Sequence, residues 1–491
     1  MIQAFYPPVA VPPFQPAHAV DPRTEKDIDI ERLNSPVDNR ELPGSSLPGL
    51  KYNQPLAIIR HIWLNVYHRL FILVFAANMI GLGFLIAVTP SWTENPPLDT
   101  LATAAAGNIL VAILIRQDYI INGLFKLTWF VPITAPLRLR RILAKVYEFG
   151  GVHSGAACSS VIWYLLFTIF LTQQFAVGRI KELGFVMFTC CLAGVLLLII
   201  TTAMPGFRSK NHNTFEHIHR WCGWAALLLF WIDLSLYSYV MTLIASKPFY
   251  EVFFLLPAFW LLLIATIHAI MPWVRLHKLE VKAERLGNYA MRLHFKEPIP
   301  CFVGLRIAQT PLGEWHSFAC VPSRDSGRSG GYIIMSGVGD WTKRNIAIPQ
   351  PYYWVKGRPV TGVLCMAKIF RSVIIVTTGS GIGPCLGVMQ DIPRTTCRVI
   401  WSTPDPLNTY GQDIMGAVLA TDARAVIYDT TAHKDDKGKT IRPDLPKMAW
   451  ELYVQEKAEA VFVISNPAVT KAIVFAMESR GIPAFGPIWD S

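Results

Sequence analysis

Ser372–Gln390 reads SVIIVTTGSGIGPCLGVMQ, and it decides how the second half of this chain folds. Val373–Val376 is a short β-branched run, which suits a buried strand better than a helix. Gly379-Ser380-Gly381-Ile382-Gly383-Pro384 follows, and residues without a Cβ let the backbone turn tightly and approach a ligand. Pro384 then opens a helical stretch. Strand, glycine turn and helix in this order present backbone N–H groups and a helix N-terminus, which is what a dinucleotide pyrophosphate requires. Gly379, Ser380, Gly381, Gly383 and Pro384 are therefore candidate cofactor-binding residues. The alternative is a tight βα turn that binds nothing. CRVIWST at 397–403, RAVIYDT at 424–430 and AVFVIS at 460–465 repeat the strand pattern with helical stretches between. Residues 372–491 are thus expected to form a parallel α/β domain.

Upstream the texture changes. LEVKAERLGNYAMRLHF at 279–295 alternates in short segments, as antiparallel strands do. Trp315–Cys320 reads as the end of another strand, and GGYIIMSGVGDWTKRN at 330–345 as strand, turn and helix start. Residues 274–371 are expected to make a small antiparallel β-barrel.

The first half is apolar. Of 491 residues 52% are hydrophobic and 16% charged, against about a quarter charged in a soluble chain. The deficit is confined to blocks between 70 and 271. Leu70–Thr89, Ser154–Val177, Gly184–Met204, Trp221–Ala245 and Val252–Met271 are long enough to cross a bilayer core. Leu101–Ile115 is shorter and spans only where its helix continues to about Leu127. Counting it gives a six-helix transmembrane bundle over 60–273. The formal charge of +11 does not mark nucleic-acid binding. Many basic residues flank the apolar blocks, among them Arg60, Arg69, Lys126, Arg138, Arg140, Arg141, Lys145, Arg208, Lys210, Arg275 and Lys278. The positive-inside rule then makes this a multi-pass protein with both termini in the cytosol and the lipid bilayer as its partner. Residues 1–55 are polar and proline-rich and are expected to form a disordered tail with no cleavable leader. The nine cysteines include no Cys-x-x-Cys pair, so neither a disulfide framework nor zinc is expected.

Two histidines sit at the cytosolic ends of outward-running helices, His153 and His219. Neutral imidazoles facing each other across a bundle suit axial ligation of haem iron. The plain alternative is a pair of interfacial residues, and His212, His217 and His268 lie near the same face. Asp233 lies in mid-span, where a charge demands a partner or a cavity.

This order of parts resembles the ferric reductase / NADPH oxidase superfamily, with the closest likeness to fungal TmpA-type transmembrane flavoproteins. Trp315-His316-Ser317-Phe318-Ala319-Cys320 looks like the family's His-Pro-Phe-Thr flavin motif. GVGDWT at 337–342 looks like its Gly-Asp-aromatic-Thr turn, GSGIGP like its nicotinamide phosphate loop, and Arg442-Pro443-Asp444 like a later Arg-Pro-Asp element. The resemblance implies a ferredoxin-reductase-like module behind the helices, with hydride passing from NAD(P)H to FAD. It assigns His316, Ser317, Phe318, Gly339, Trp341 and Thr342 to FAD, and Trp489 to the place near the flavin where relatives keep an aromatic.

The chain also departs from that pattern. Ser317 and Ala319 replace a proline and a threonine, so one hydroxyl contact to flavin is missing. ISNP at 464–467 replaces a Cys-Gly-Pro element, and WSTPDP at 401–406 lacks a nearby arginine that would favour NADP over NAD. Two-haem relatives carry a second histidine 13 or 14 residues along each ligand helix. Those positions here are Leu166, Phe167, Ile232 and Asp233. At most one haem b, on His153 and His219, is therefore expected. The reading is a membrane-bound FAD-dependent NAD(P)H oxidoreductase with a small-molecule or metal acceptor, in the plasma membrane or an internal one. The alternative is a redox sensor or a developmental-signalling or secondary-metabolism flavoprotein with little turnover. A transporter, resting on Asp233 and six spans, is a third reading.

Overall fold

A computed structural model describes residues 47–287, 289–323, 330–389, 395–434, 438 and 440–487. The helical half comprises α1 (Val66–Val88), α2 (Leu98–Leu114), α3 (Asp118–Trp129), α4 (Leu137–Leu143), α5 (Gly150–Ala176), α6 (Leu183–Ala203), α7 (His212–Ala245) and α8 (Pro257–Val274). Five helices among the described residues are long and apolar enough to cross a membrane, and six if α2 and α3 count as one. α5 is the central helix of the bundle. A Cβ on Gly155 would stand 2.9 Å from the Phe71 carbonyl oxygen of α1, the close backbone approach that small residues allow between membrane helices.

Two expectations need correction here. The continuous helix from Leu101 to about Leu127 does not form, because the chain breaks after Leu114 and α3 leaves at 66° to α2. Asp118 is the cause: its carboxylate lies 2.5 Å from Arg306 and accepts the Arg358 backbone N–H at 2.8 Å. Asn122 likewise takes the Thr361 N–H at 2.9 Å, so α3 is docked on the soluble half. The run Val252–Met271 is also divided, at Leu256, ahead of α8.

The soluble half begins with β1 (His277–Glu280), β2 (Lys282–Arg285), β3 (Ala290–Phe295), β4 (Val303–Ala308), β5 (His316–Pro322), β6 (Gly331–Ser336), α9 (Asp340–Ala347), β7 (Tyr352–Val355) and β8 (Val360–Thr361). The antiparallel sheet runs β1-β7-β4-β5-β6-β3-β2, with β8 paired to β4. Its two edges, β1 and β2, are separated in the chain by Val281 alone, which bends the sheet into a near-barrel. Leu279, Leu293, Ile307, Ile333, Trp341 and Tyr353 fill it.

A parallel sheet follows, built from β9 (Ser372–Thr378), α10 (Ile382–Met389), β10 (Thr396–Thr403), α11 (Pro406–Thr421), β11 (Val426–Asp429), α12 (Leu445–Gln455), β12 (Ala460–Ile464), α13 (Pro467–Glu478) and β13 (Ala484–Phe485). Its order is β11-β10-β9-β12-β13. These two sheets form the antiparallel and parallel layers expected of the soluble half.

Most of the expected disordered tail, 1–46, lies outside the described residues, but its last part is held. The Lys51 N–H donates to Ser479 O at 2.9 Å, and Arg480 Nε donates to Pro48 O at 2.7 Å. Composition alone does not reveal a partner more than 400 positions away.

Buried charge joins the two halves. Arg140 grips Glu459 with both terminal nitrogens, at 2.6 and 2.9 Å. Glu478, 9% exposed, takes Arg141 at 2.7 Å, His61 at 3.6 Å and Lys145 at 3.8 Å. Burial alone would raise the Glu478 pKa, but Lys145, His61 and Arg141 outweigh it and hold the carboxyl well below the usual range. A carboxyl depressed by folding stabilises above its unfolded pKa, about 4.3, and loses that contribution as pH falls below it. Glu478→Gln keeps the shape and strands the facing cations, at a cost of about 3 kcal/mol. Thermal unfolding of the detergent-purified chain at neutral pH should show a clear loss for this variant. The gap to wild type should narrow progressively as the pH is lowered below about 4. Equal melting at pH 7 would show that these pairs do not hold the halves together.

Candidate functional site

β9 delivers the glycine turn at the centre of the parallel sheet. Gly379 has φ +51°, a left-handed conformation that glycine adopts without strain, and its carbonyl accepts the Trp401 indole N–H at 2.9 Å. Gly379–Gly381 forms one short 3-10 turn before α10. A Cβ on Gly381 would stand 2.5 Å from Ile464 O and 2.6 Å from Thr377 Oγ1, so this position admits no side chain. Here the strand order reverses between β9 and β12, the crevice in which open α/β sheets take ligands. Ser465 meets Thr378 hydroxyl to hydroxyl at 2.5 Å, and Asn466 caps α13 by accepting the Val469 N–H at 3.0 Å. The two central residues of ISNP, Ser465 and Asn466, are functional candidates that the glycine pattern alone did not reveal.

Gly383 also has a packing role. It faces Ile334 of β6, 3.3 Å from where its Cβ would be, and Gly387, four residues on, would place a Cβ 2.5 Å from Cys320 O of β5. Residues four apart share one helix face. Both glycines therefore seat α10 on the antiparallel sheet. Pro384 sits in the first turn of α10.

The flavin candidates gather at the start of β5 and the start of α9. His316 stacks on Trp341 with centroids 4.3 Å apart and planes at 29°, and Phe318 lies 6.2 Å from the same ring. Alternation along the strand puts Ser317 and Ala319 on the opposite face. Gly339 caps α9, its N–H donating to Thr342 Oγ1 at 3.0 Å, and a Cβ there would meet nothing within 4 Å. The α9 N-terminus is thus open to an anion such as a pyrophosphate. His316 Nε2 is buried without a hydrogen bond, with Glu314 at 3.6 Å its nearest carboxylate. Burial lowers the His316 pKa against the opposing pull of Glu216 and Glu314, which keeps the ring neutral at pH 7. An open cap and an orphaned ring nitrogen fit a bound FAD. Trp489 lies outside the described residues.

Towards the helices, Arg220 of α7 donates to Gly313 O at 2.9 Å, three residues before His316. Lys356 lies between the rings of Trp273 and Trp315, 4.4 and 4.3 Å from their centroids. Burial, followed by Arg306 and Arg220, pushes its pKa down to about 8. No sequence pattern singles out this lysine. His153 and His219 stand with ring centroids 6.2 Å apart. Two imidazoles in trans on one metal ion, each nitrogen about 2 Å from it, separate their centroids by about 6 Å. His153 Nδ1 is held by Ala112 O at 2.9 Å, which leaves Nε2 as the ligand nitrogen. His219 Nδ1 is buried and unpartnered among the described residues. The donor pair fits one metal centre. Asp233 is fully engaged, accepting from Tyr164 at 2.9 Å and Thr189 at 2.5 Å.

Known proteins can now be compared with this geometry. A profile described as "Adenylate-forming reductase 03009, C-terminal domain" matches residues 363–491. Adenylate-forming reductase 03009 of Coprinopsis cinerea is 39% identical over 434 residues, 88% of this chain. Adenylate-forming reductase 06235 of the same fungus is 38% identical over 437 residues. The chain spans 41% of the length of these curated relatives. They carry a different name from the ferric reductases and TmpA-type proteins that the motifs resemble. Among solved structures, a ferredoxin NADP+ reductase from Neisseria gonorrhoeae with bound FAD and NADP is 13% identical and covers 43% of this chain and 98% of its own, with a TM-score of 0.35. A flavohemoglobin from Malassezia yamatoensis, with bound FAD and heme, is 13% identical over 82% of this chain and 99% of its own, with a TM-score of 0.36.

Gly387→Ala tests the seating of α10. Its methyl group meets backbone and lifts the glycine-turn helix from β5, whereas Gly416→Ala in α11, with open space around it, serves as the control. Gly387→Ala should bind FAD normally and slow flavin reduction by NAD(P)H by about tenfold or more, since misplacement of about 1 Å already costs more than that. Stopped-flow kinetics matching the Gly416→Ala control would remove α10 from the site.

Proposed function

We propose that this chain is a membrane-bound, FAD-dependent NAD(P)H oxidoreductase of ferric-reductase-like architecture. It passes electrons to a small-molecule or metal acceptor at or in the membrane. The observation that carries the reading is the seating of α10 on β5 through Gly387, which puts the nucleotide turn against the flavin sheet. FAD, when bound, supplies the chemistry, taking hydride from the nicotinamide and releasing the electrons onward. The residues of the chain bind and orient. Gly339 and Thr342 present the α9 N-terminus to the flavin pyrophosphate, His316 and Phe318 line the flavin, and Gly379–Gly381 cradles the nucleotide phosphates. The helices cross a plasma or internal membrane with both termini cytosolic, and His153 and His219 hold one haem b at most. With Asp233, Leu166, Phe167 and Ile232 at the outer positions, no second haem has ligands. A redox sensor of low turnover is the second reading. It is favoured by the altered His316-Ser317-Phe318-Ala319 and Ile464-Ser465-Asn466-Pro467 segments.

The purified full chain should carry FAD whose visible absorption is bleached by NADH or NADPH without oxygen. Flavin that stays oxidised under both nucleotides supports the sensor, and a folded chain without flavin refutes both readings. A pyridine haemochrome assay should give no more than one haem per FAD. Any haem present should be lost in His153→Ala and in His219→Ala, and two haems per flavin would overturn the ligand argument.

A further inference from the structure

We propose that the adenosine end of this nucleotide site selects NADH and rejects NADPH, through Asp405 and Asp429. The inference rests on the dinucleotide reading above. A pyrophosphate over Gly379–Gly381 leaves one ribose over the ends of β10 and β11. These strands end side by side, Thr403 opposite Asp429. In nucleotide-binding sheets of this kind an acidic residue about 20 positions after the glycine turn takes the adenosine ribose hydroxyls, whereas NADP sites place an arginine there. Asp405 follows Gly383 by 22 positions.

The local geometry fixes both carboxylates. Asp405 has φ +40° and caps α11, accepting from Asn408 Nδ2 at 2.8 Å. The helix N-terminus that would otherwise welcome a phosphate therefore holds the chain's own anion. Asp429 Oδ1 accepts the N–H of Asp405 at 2.9 Å, the N–H of Thr431 at 2.8 Å and its hydroxyl at 2.7 Å. The Ala432 backbone N–H adds to these bonds, so the carboxylate is fixed in place at the strand end. Burial raises the Asp429 pKa, but Thr431 and the backbone N–H groups outweigh it, so the carboxyl stays ionised at neutral pH. Beside them Thr403, only 1% exposed, has its hydroxyl within reach of the Tyr410 phenol. A ribose diol donates hydrogen bonds to such carboxylates. A 2′-phosphate brings nearly two negative charges against two fixed ones.

The experiment uses the full chain loaded with FAD. The kcat/KM ratio for flavin reduction should favour NADH over NADPH by about a hundredfold, as like-charge contact costs several kcal/mol. Asp405→Asn caps a helix as well as Asp does, and Asp429→Asn keeps the shape. Combining the two should bring the ratio close to one, chiefly by lowering KM for NADPH. Binding of AMP and of 2′-phospho-AMP, measured calorimetrically, reads the same pocket without turnover. AMP bound more tightly, with flavin left unreduced, keeps the inference and sinks the enzyme reading. Equal or better use of NADPH, tighter 2′-phospho-AMP, dependence of NADPH use on Lys434 or Arg442, or no nucleotide binding at all would each overturn it.

Discussion

Charge buried between the α4–α5 region and the nucleotide domain is the constraint on which the remaining geometry depends. Arg140 and Lys145 are buried with Glu459, Glu478 and Glu148 as their partners, and the half-buried Arg141 joins Glu478; an unpaired buried charge would cost several kcal/mol. With those contacts made, the parallel sheet is fixed against the helical half, and α10 brings the antiparallel sheet with it. Asp118 and Asn122 of α3 secure the other side of the barrel. The imidazole of His219 and the loop before β5 are then held through consecutive residues of α7, because Arg220 donates to Gly313 O. The candidate sites on three structural layers are thereby set at fixed separations.

Both layers of the soluble module were legible in the sequence, and for a local reason. β-branched runs, glycine turns and alternation are properties of a few consecutive residues. The turn from Gly379 to Gly381 was legible for the same reason, since Gly379 needs a positive φ and Gly381 has no room for a side chain. The packing of Gly383 on Ile334 was not legible, because Ile334 lies 49 residues upstream, where no turn pattern reaches. The histidine pair was legible from topology alone. Two helices running the same way put His153 and His219 at one depth, and the 6.2 Å between their rings agrees with that placement.

What stayed hidden has non-local causes. The break after Leu114 is fixed by Asp118 reaching Arg306 and the Arg358 backbone, and although Arg116-Gln117-Asp118 interrupts the apolar run, those distant partners cannot be read from it. The basic residues between α3 and α5 illustrate a second limit. Their number follows the positive-inside rule, yet Arg140 is 3% exposed and Lys145 nearly as enclosed. A charge count does not distinguish cations that face headgroups from cations paired inside the protein. Lys356 between its two tryptophans is similarly invisible, because Trp273, Trp315 and Lys356 are dispersed over 84 positions.

The single residue Val281 between β1 and β2 has a consequence for how the chain is made. β2 pairs with β3 over a short loop, but β1 waits for β7, whose register runs His277 to Val355. Synthesis proceeds from the N-terminus at about 5–20 residues per second, so the last apolar helix is complete well before Tyr352 emerges. For several seconds the ribosome holds a tethered, half-closed meander with one bare edge. Such edges invite pairing with other chains, and the late, long-range closure is the slow kind. The lysines and arginines of β1 and β2, Lys278, Lys282 and Arg285, lie on those two edges, where charge discourages a stray strand until the barrel shuts.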